Sequence, residues 1–444
     1  MVKNSKNNDA IYDAKQLGTA KMLVLGLQHM FAMFGATVLV PALTGLSVSA
    51  TLLFAGLGTL LFHLLTKRKV PAFLGSSFAF LGGYFAFNTN TDPSMIPYAS
   101  FGVVFAGLMY VILAALIKFF GAKKVMKFFP PIVTGPIIIA IGLTLSGSAI
   151  QNCMANWPIA IVAILVIIAC NIWGKGMVKI VPILLGVAVS YGLAAVLGEV
   201  DTSIIADAKW IGLPVVKDQT VFSLIGNADA SLLAKAVITV VPISLATMVE
   251  HIGDISAISS TVGINYIADP GLHRTLLGDG LATSMAALFG APANTTYGEN
   301  TGVLNLTKVY DPKVIRLAAV FAIVLSFSPK FAALIQAMPT ATIGGISLVL
   351  YGMISAVGVR NVVENQVDFT SNRNVIIAAL ILVLAIGIKY GTESGAVMLG
   401  TIEMSGLAVA AIVGILLNAL LPGQDYEFSA EEHEDVEKFP NFEL

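Results

Sequence analysis

The sequence predicts an all-α polytopic membrane protein of about fourteen transmembrane segments, arranged as two inverted repeats of seven. Three observations predict it. Of its 444 residues 57% are hydrophobic and only 11% charged, with a mean hydropathy of +0.86, whereas soluble domains carry about 25% charged residues. Apolar runs, most near the roughly 20 residues that cross a bilayer, alternate with charged or Pro/Gly breaks. The basic residues, finally, gather on one side of that alternation.

In chain order, the first half has apolar runs near 21–43, 48–66, 71–87, 97–120, 129–150, 157–173 and 180–198. A polar stretch, about 199–234, separates these from runs near 235–259, 274–290, 291–307, 313–336, 339–358, 374–392 and 397–421. The positive-inside rule tests the count. With both ends inside, only Lys209, Lys217, Lys235, Lys330 and Lys389 of the 25 Lys and Arg fall off the inner segments. The inner set runs from Lys3 and Lys6 to Lys438, and an error of one span would scramble it. The leader, 1–18, is expected to be a retained cytoplasmic tail, because the run after it is too long for a signal peptide. The acidic end, 423–444, is expected to be a solvated cytoplasmic tail. Cys153 and Cys170 have no metal or disulfide spacing and read as packing residues. A net charge of −1 gives no reason to expect nucleic acid.

Seven spans is an odd number, so the second half crosses in the opposite sense, as in inverted-repeat transporters. The third segment of each half is polar and glycine-broken: "PAFLGSSFAFLGG" and "APANTTYGENTG". Non-helical backbone at membrane depth is tolerated only where it is buried or lines a cavity. Matched broken segments therefore point to a binding site at the midplane.

Chemistry gathers beside them. In "VPISLATMVEHIGDISA" Glu250 and Asp254 stand four apart and share a helix face, with His251 turned about 100° away. An ionisable group at a helix centre costs roughly 2.5–3.5 kcal/mol, so two on one face argue for a polar interior. Glu299 stands where the second broken segment changes conformation, and the Ser77–Phe78 region of the first offers amides, hydroxyls and a ring. Carboxylates that accept, amides that donate and the face of Phe78 suit a small planar ring bearing N–H and C=O groups. Paired carboxylates repel an inorganic anion. There is no nucleophile–base pair or metal cluster, so neither enzyme chemistry nor a cofactor is expected. His29, His251, Asp279 and Glu403 stay open between orienting, packing and interface roles.

"ENTGVLNLTK" (Glu299 to Lys308, with Asn300, Gly302 and Thr307) resembles the signature of the nucleobase–ascorbate transporter family. Gln28-His29, "GSSFAF" and "EHIGD" resemble it too, in the right order. The resemblance implies short strands in spans 3 and 10, a core of spans 1–4 and 8–11 (19–127 and 235–336), and a gate of spans 5–7 and 12–14 (128–199 and 337–422). An extracellular connection, 200–234, separates the halves. It implies substrate contacts from Glu250, Glu299, Phe78, Gly298, Tyr297 and Ser77, and gate contacts from Ser347 and Tyr351. It also implies a homodimer through the gate. Glu299, where purine carriers of the family have Gln, points to uracil. Asp254 replaces a histidine assigned to proton relay in uracil carriers, which leaves the proton route open among Glu250, Asp254 and Glu299.

The expectation is therefore a proton-coupled nucleobase importer of the plasma membrane, embedded in lipid, with sodium left open as the coupling ion. A xanthine or purine permease is the alternative, and an anion exchanger or channel of related fold is the alternative from another class.

Overall fold

The computed structural model describes residues 10–399, 402–424 and 426. Lys3, Lys6, Lys438 and the acidic end from 427 lie outside the described residues.

The first half opens with α1 (Gly18–Thr44) and α2 (Val48–Leu65), the latter N-capped by the Ser47 hydroxyl on Ala50 N–H. The third apolar run is not a spanning helix. It is the strand β1 (Leu74–Ser76), one 3₁₀ turn and the short α3 (Leu81–Phe85). Next come α4 (Ile96–Phe120), the short α5 (Ala122–Met126), α6 (Pro131–Cys153), α7 (Trp157–Trp173), the short α8 (Met177–Ile180) and α9 (Pro182–Val196). Pro at the first turn of α6, α7 and α9 suits a position whose N–H has no helical partner.

The connection holds α10 (Thr202–Asp207), and the helix after it starts earlier than the sequence suggested. It is α11 (Ala230–Val240), capped by Asp229, and it runs through a turn at Val241–Pro242 into α12 (Ile243–Val262). The chain continues as α13 (Leu272–Leu288), β2 (Asn294–Thr296), α14 (Gly298–Thr307), α15 (Pro312–Ser326) and α16 (Pro329–Gln336). The last two are bent by 86° where one run was expected. Then come α17 (Thr340–Glu364), α18 (Asn372–Gly391), a hairpin of β3 (Ala396–Leu399) and β4 (Ile402–Ser405), and α19 (Gly406–Leu420). The hairpin was not foreseen: the run read as 397–421 begins as β structure, and Glu403 falls in β4.

Among the described residues seven helical stretches are long and apolar enough to cross a membrane, or eight with the bent pair counted as one. Of the other expected segments, two are broken by β1 and β2. Three hold apolar helices of 15–17 residues (α7, α9 and α19), about 23–26 Å long at 1.5 Å per residue, and the run near 274–290 is the 17-residue α13. Large apolar side chains such as Ile112, Leu116, Leu165, Val383 and Leu416 are exposed along α4, α7, α18 and α19. Apolar surface of that extent belongs against lipid, so the chain is a multi-pass membrane protein.

Close helix packing falls into two sets: α13 against α4 and α2 with α15 on α2, and α17 on α6 and α7 with α18 on α19. Small residues permit both. A Cβ on Gly358 of α17 would lie 2.6 Å from Ile139 N of α6, and one on Gly280 of α13 would lie 2.6 Å from Gly107 O of α4. Close backbone approach at Gly is the usual basis of helix association in lipid.

Candidate functional site

The two broken segments meet. β1 and β2 pair antiparallel with Leu74 opposite Thr296, Gly75 opposite Thr295 and Ser76 opposite Asn294. Flanking bonds extend the pair: Ser77 N–H donates to Ala293 O and Tyr297 N–H to Phe73 O, each at 3.0 Å. The Ser77 amide, expected to face a ligand, is thus taken up by the ladder.

A two-stranded pair at membrane depth leaves two open edges, and every edge group needs a partner there. Thr59 of α2 serves one edge, its hydroxyl accepting from Leu74 N–H at 2.9 Å and lying 3.3 Å from Leu74 O. Thr283 of α13 serves the other, donating to Asn294 O at 2.6 Å. Asn294 itself reaches back to Phe54 O of α2. Thr59, Thr283 and Asn294 were missed as site-building residues. The signal for Thr59 was a lone hydroxyl in an apolar run, and Asn294 lay within the polar break already singled out.

Each strand feeds a helical turn pointing away from the crossing, starting at Phe78 and at Gly298. The first N–H groups of such turns lack partners in their own helix and carry the positive end of its dipole. Phe78 is half-buried and Gly298 exposed. Tyr297 is a brace: its hydroxyl donates to Ser76 O at 2.7 Å, accepts from Thr37 of α1 at 3.2 Å, and its ring lies over Gly75.

Helix α12 brings the acidic pair. Glu250 is exposed although Met248, His251 and Ile252 around it are buried, so it faces an internal opening. The same face continues through Gly253, Ala257 and Ser260, all exposed, to the helix end. On α14 Gly298, Gly302 and Asn305 are exposed likewise. A Cβ on Gly298 would lie 3.6 Å from Asp254 Oδ1, and one on Gly302 or Gly253 would meet nothing within 4 Å. Asp254 and Glu299 are half-buried, and Glu250 and Asp254 lie within electrostatic range of each other and of both Glu299 and Asp279.

The residues whose roles stayed open now have partners. His251 Nδ1 lies 3.2 Å from Thr296 Oγ1 and 3.3 Å from Asp279 Oδ2, both groups buried. Thr296 donates to Asp254 Oδ2 at 3.1 Å. An unforeseen chain Asp279–His251–Thr296–Asp254 therefore joins α13, α12 and β2. His29 takes its partner from the signature motif, since Asn300 Nδ2 donates to His29 O at 3.0 Å and lies 3.2 Å from its Nδ1. Thr307 closes the last turn of α14 on Val303 O at 2.8 Å. Ser347 and Tyr351 are buried in α17, while the Glu403 side chain lies outside what is described. Cys153 and Cys170 are buried and unbridged.

Chemically, the opening offers the carboxyl groups of Glu250, Asp254 and Glu299, helix N-terminal amides and the ring of Phe78. Among the described residues no group of three or more His, Cys, Asp or Glu could hold a metal ion.

The model of a permease family matches residues 20–394. The chain is 42% identical over 431 residues to the uracil permease of Bacillus caldolyticus, with 94% of this chain and 96% of that one covered. It is 39% identical over 426 residues to the uracil permease of Bacillus subtilis (strain 168), with 92% and 94% covered. In structure it is similar to the transmembrane domain of a cyanobacterium bicarbonate transporter, BicA, with a TM-score of 0.57 at 15% identity, covering 92% of this chain and 99% of that one. At that identity the likeness concerns the fold alone.

Proposed function

The chain belongs to this permease family, and on that premise we propose that it imports a nucleobase, uracil first, by symport with protons. One observation carries the reading: Glu250 and Glu299 converge on an opening beside the paired strands, flanked by helix N-termini. Carboxyl groups there accept the N–H groups of a pyrimidine while amides at Phe78 and Gly298 donate to its carbonyls. The relatives named as uracil permeases support the cargo.

Like charges held together out of water favour keeping a proton on one of them. Glu250 is the proposed proton carrier, with Asp254 and Glu299 as the groups it exchanges with. A protonated Glu250 lets neutral uracil bind without an uncompensated charge, and loss of that proton inside resets the carrier. Fourteen spans with both termini cytoplasmic, in the plasma membrane, are proposed for the whole. The core (19–127 and 235–336) then rocks against the gate (128–199 and 337–422), touching it through Ser347 and Tyr351, in a homodimer joined by the gates.

The test is labelled uracil uptake into proteoliposomes under a proton gradient, a sodium gradient or neither. Accumulation with the proton gradient alone is expected. Accumulation driven by sodium alone overturns the coupling, and accumulation of labelled xanthine where labelled uracil does not accumulate overturns the cargo.

A further inference from the structure

The segment just before α1, expected only to be a tail, is bound across the ends of the two helices that carry the carboxyl pair. Ile11 makes a parallel bridge with Val309, donating to Lys308 O at 2.9 Å and accepting from Tyr310 N–H at 2.8 Å. Lys308 ends α14 in a left-handed conformation, φ 53°, which turns the chain toward the segment. Tyr12 reaches the other helix: its hydroxyl donates to Val262 O, the last residue of α12, at 2.8 Å. Its ring packs on Tyr310 with centroids 5.5 Å apart.

Asp13 and Ala14 complete the attachment. Asp13 accepts from Lys15 N–H and pairs with Lys313, each at 3.2 Å, and Ala14 N–H donates to Asp311 Oδ2 at 2.9 Å. Ala14, Val309 and Val314 are buried together, with Ile11 and Leu17 against them. Four consecutive residues thus fasten the end of α12 to the corner between α14 and α15.

That fastening lies at the mouth of the opening. The exposed face of α12 runs from Glu250 through Gly253, Ala257 and Ser260 toward Val262, and that of α14 from Gly298 through Gly302 and Asn305 toward Lys308. Both exposed faces lead from the carboxyl groups toward the fastened helix ends. We infer that the segment Ile11–Leu17 is a splint that sets the width of this inner mouth, with Tyr12 and Asp13 as positioning residues for cytoplasmic release. The inference rests on the transport reading for what is released, but not for the geometry.

The experiment uses the full chain with Cys153→Ala and Cys170→Ala, spin-labelled at Ser260→Cys and Asn305→Cys, and measures the distance between labels. Tyr12→Phe, and separately Asp13→Asn, should shift or broaden the distribution by on the order of 2 Å, the scale of helix shifts that switch transport proteins. An unchanged distribution in both variants overturns the splint whatever the cargo is. Uracil uptake by the unlabelled parent reports separately on the transport reading. In inside-out vesicles Tyr12→Phe should change the KM for uracil by about fivefold, one hydrogen bond's worth, with the melting temperature held. A lower melting temperature with KM and label distance unchanged makes the segment an anchor only and overturns the proposal.

Discussion

Thr296→Val removes one hydroxyl from the point where three elements meet. That hydroxyl donates to Asp254 Oδ2 at 3.1 Å and lies 3.2 Å from His251 Nδ1. It has a single hydrogen, so giving it to Asp254 requires it to accept from Nδ1–H of His251. Valine keeps the β-branched shape and the register opposite Leu74, so the strand pair should survive. Removing a hydroxyl so that a buried polar partner is left unsatisfied costs about 1–3 kcal/mol. Asp254 is half-buried, so water offsets part of the loss and about 1.5 kcal/mol applies. That corresponds to roughly a tenfold fall in kcat/KM. Labelled uracil uptake in proteoliposomes gives kcat/KM, and Thr296→Ser, which restores the hydroxyl, should return to within about twofold of the parent. Wild-type kcat/KM for the valine variant, even with lowered thermal stability, would show that no coupling passes through this hydroxyl.

Other predictions follow from the same geometry. Glu250→Gln should still bind uracil yet lose proton-driven accumulation, and full gradient-dependent uptake would sink its role as carrier. Glu299→Ala should weaken uracil binding by about tenfold or more, read by calorimetry on the purified protein. Gly280→Val puts a side chain against Tyr110 and Gly107 O where α13 crosses α4, and overpacking of about 1–3 kcal/mol should appear as a lower melting temperature in detergent. The Asp13 carboxyl is held below its ordinary value first by Lys15 N–H and then by Lys313. A lowered carboxyl pKa stabilises above the unfolded value of about 3.9, and that contribution is lost as pH falls through the folded value. The difference in label distance between the parent and Asp13→Asn should therefore be constant from neutral pH to about 4 and shrink only below it, whereas a difference already lost near pH 6 would contradict this assignment.

Much of the site was legible because its signals are local. Four-residue spacing put Glu250 and Asp254 on one face of α12, and Gly, Ser, Thr and Asn in the midst of apolar runs marked where helices break. The motif Asn300–Gly302–Thr307 was legible as a pattern but not in its purpose. In the fold Asn300 ties α14 to α1, Gly302 keeps the opening clear and Thr307 closes the helix.

What the sequence determined by itself is the membrane class, the breaks and the acidic pair, since hydropathy, periodicity and turn residues act over a few neighbours. What only the tertiary structure decided is which groups those breaks lean on. β1 pairs with a strand some 220 residues away, and Thr296 links His251 to Asp254. The segment before α1 fastens α12 to α14, and the start of the last apolar run folds into the hairpin β3–β4 ahead of helix α19. The reason is the same in each case. Backbone that leaves the helix must find hydrogen-bond partners elsewhere, and a sequence shows the unmet group without naming the distant residue that meets it.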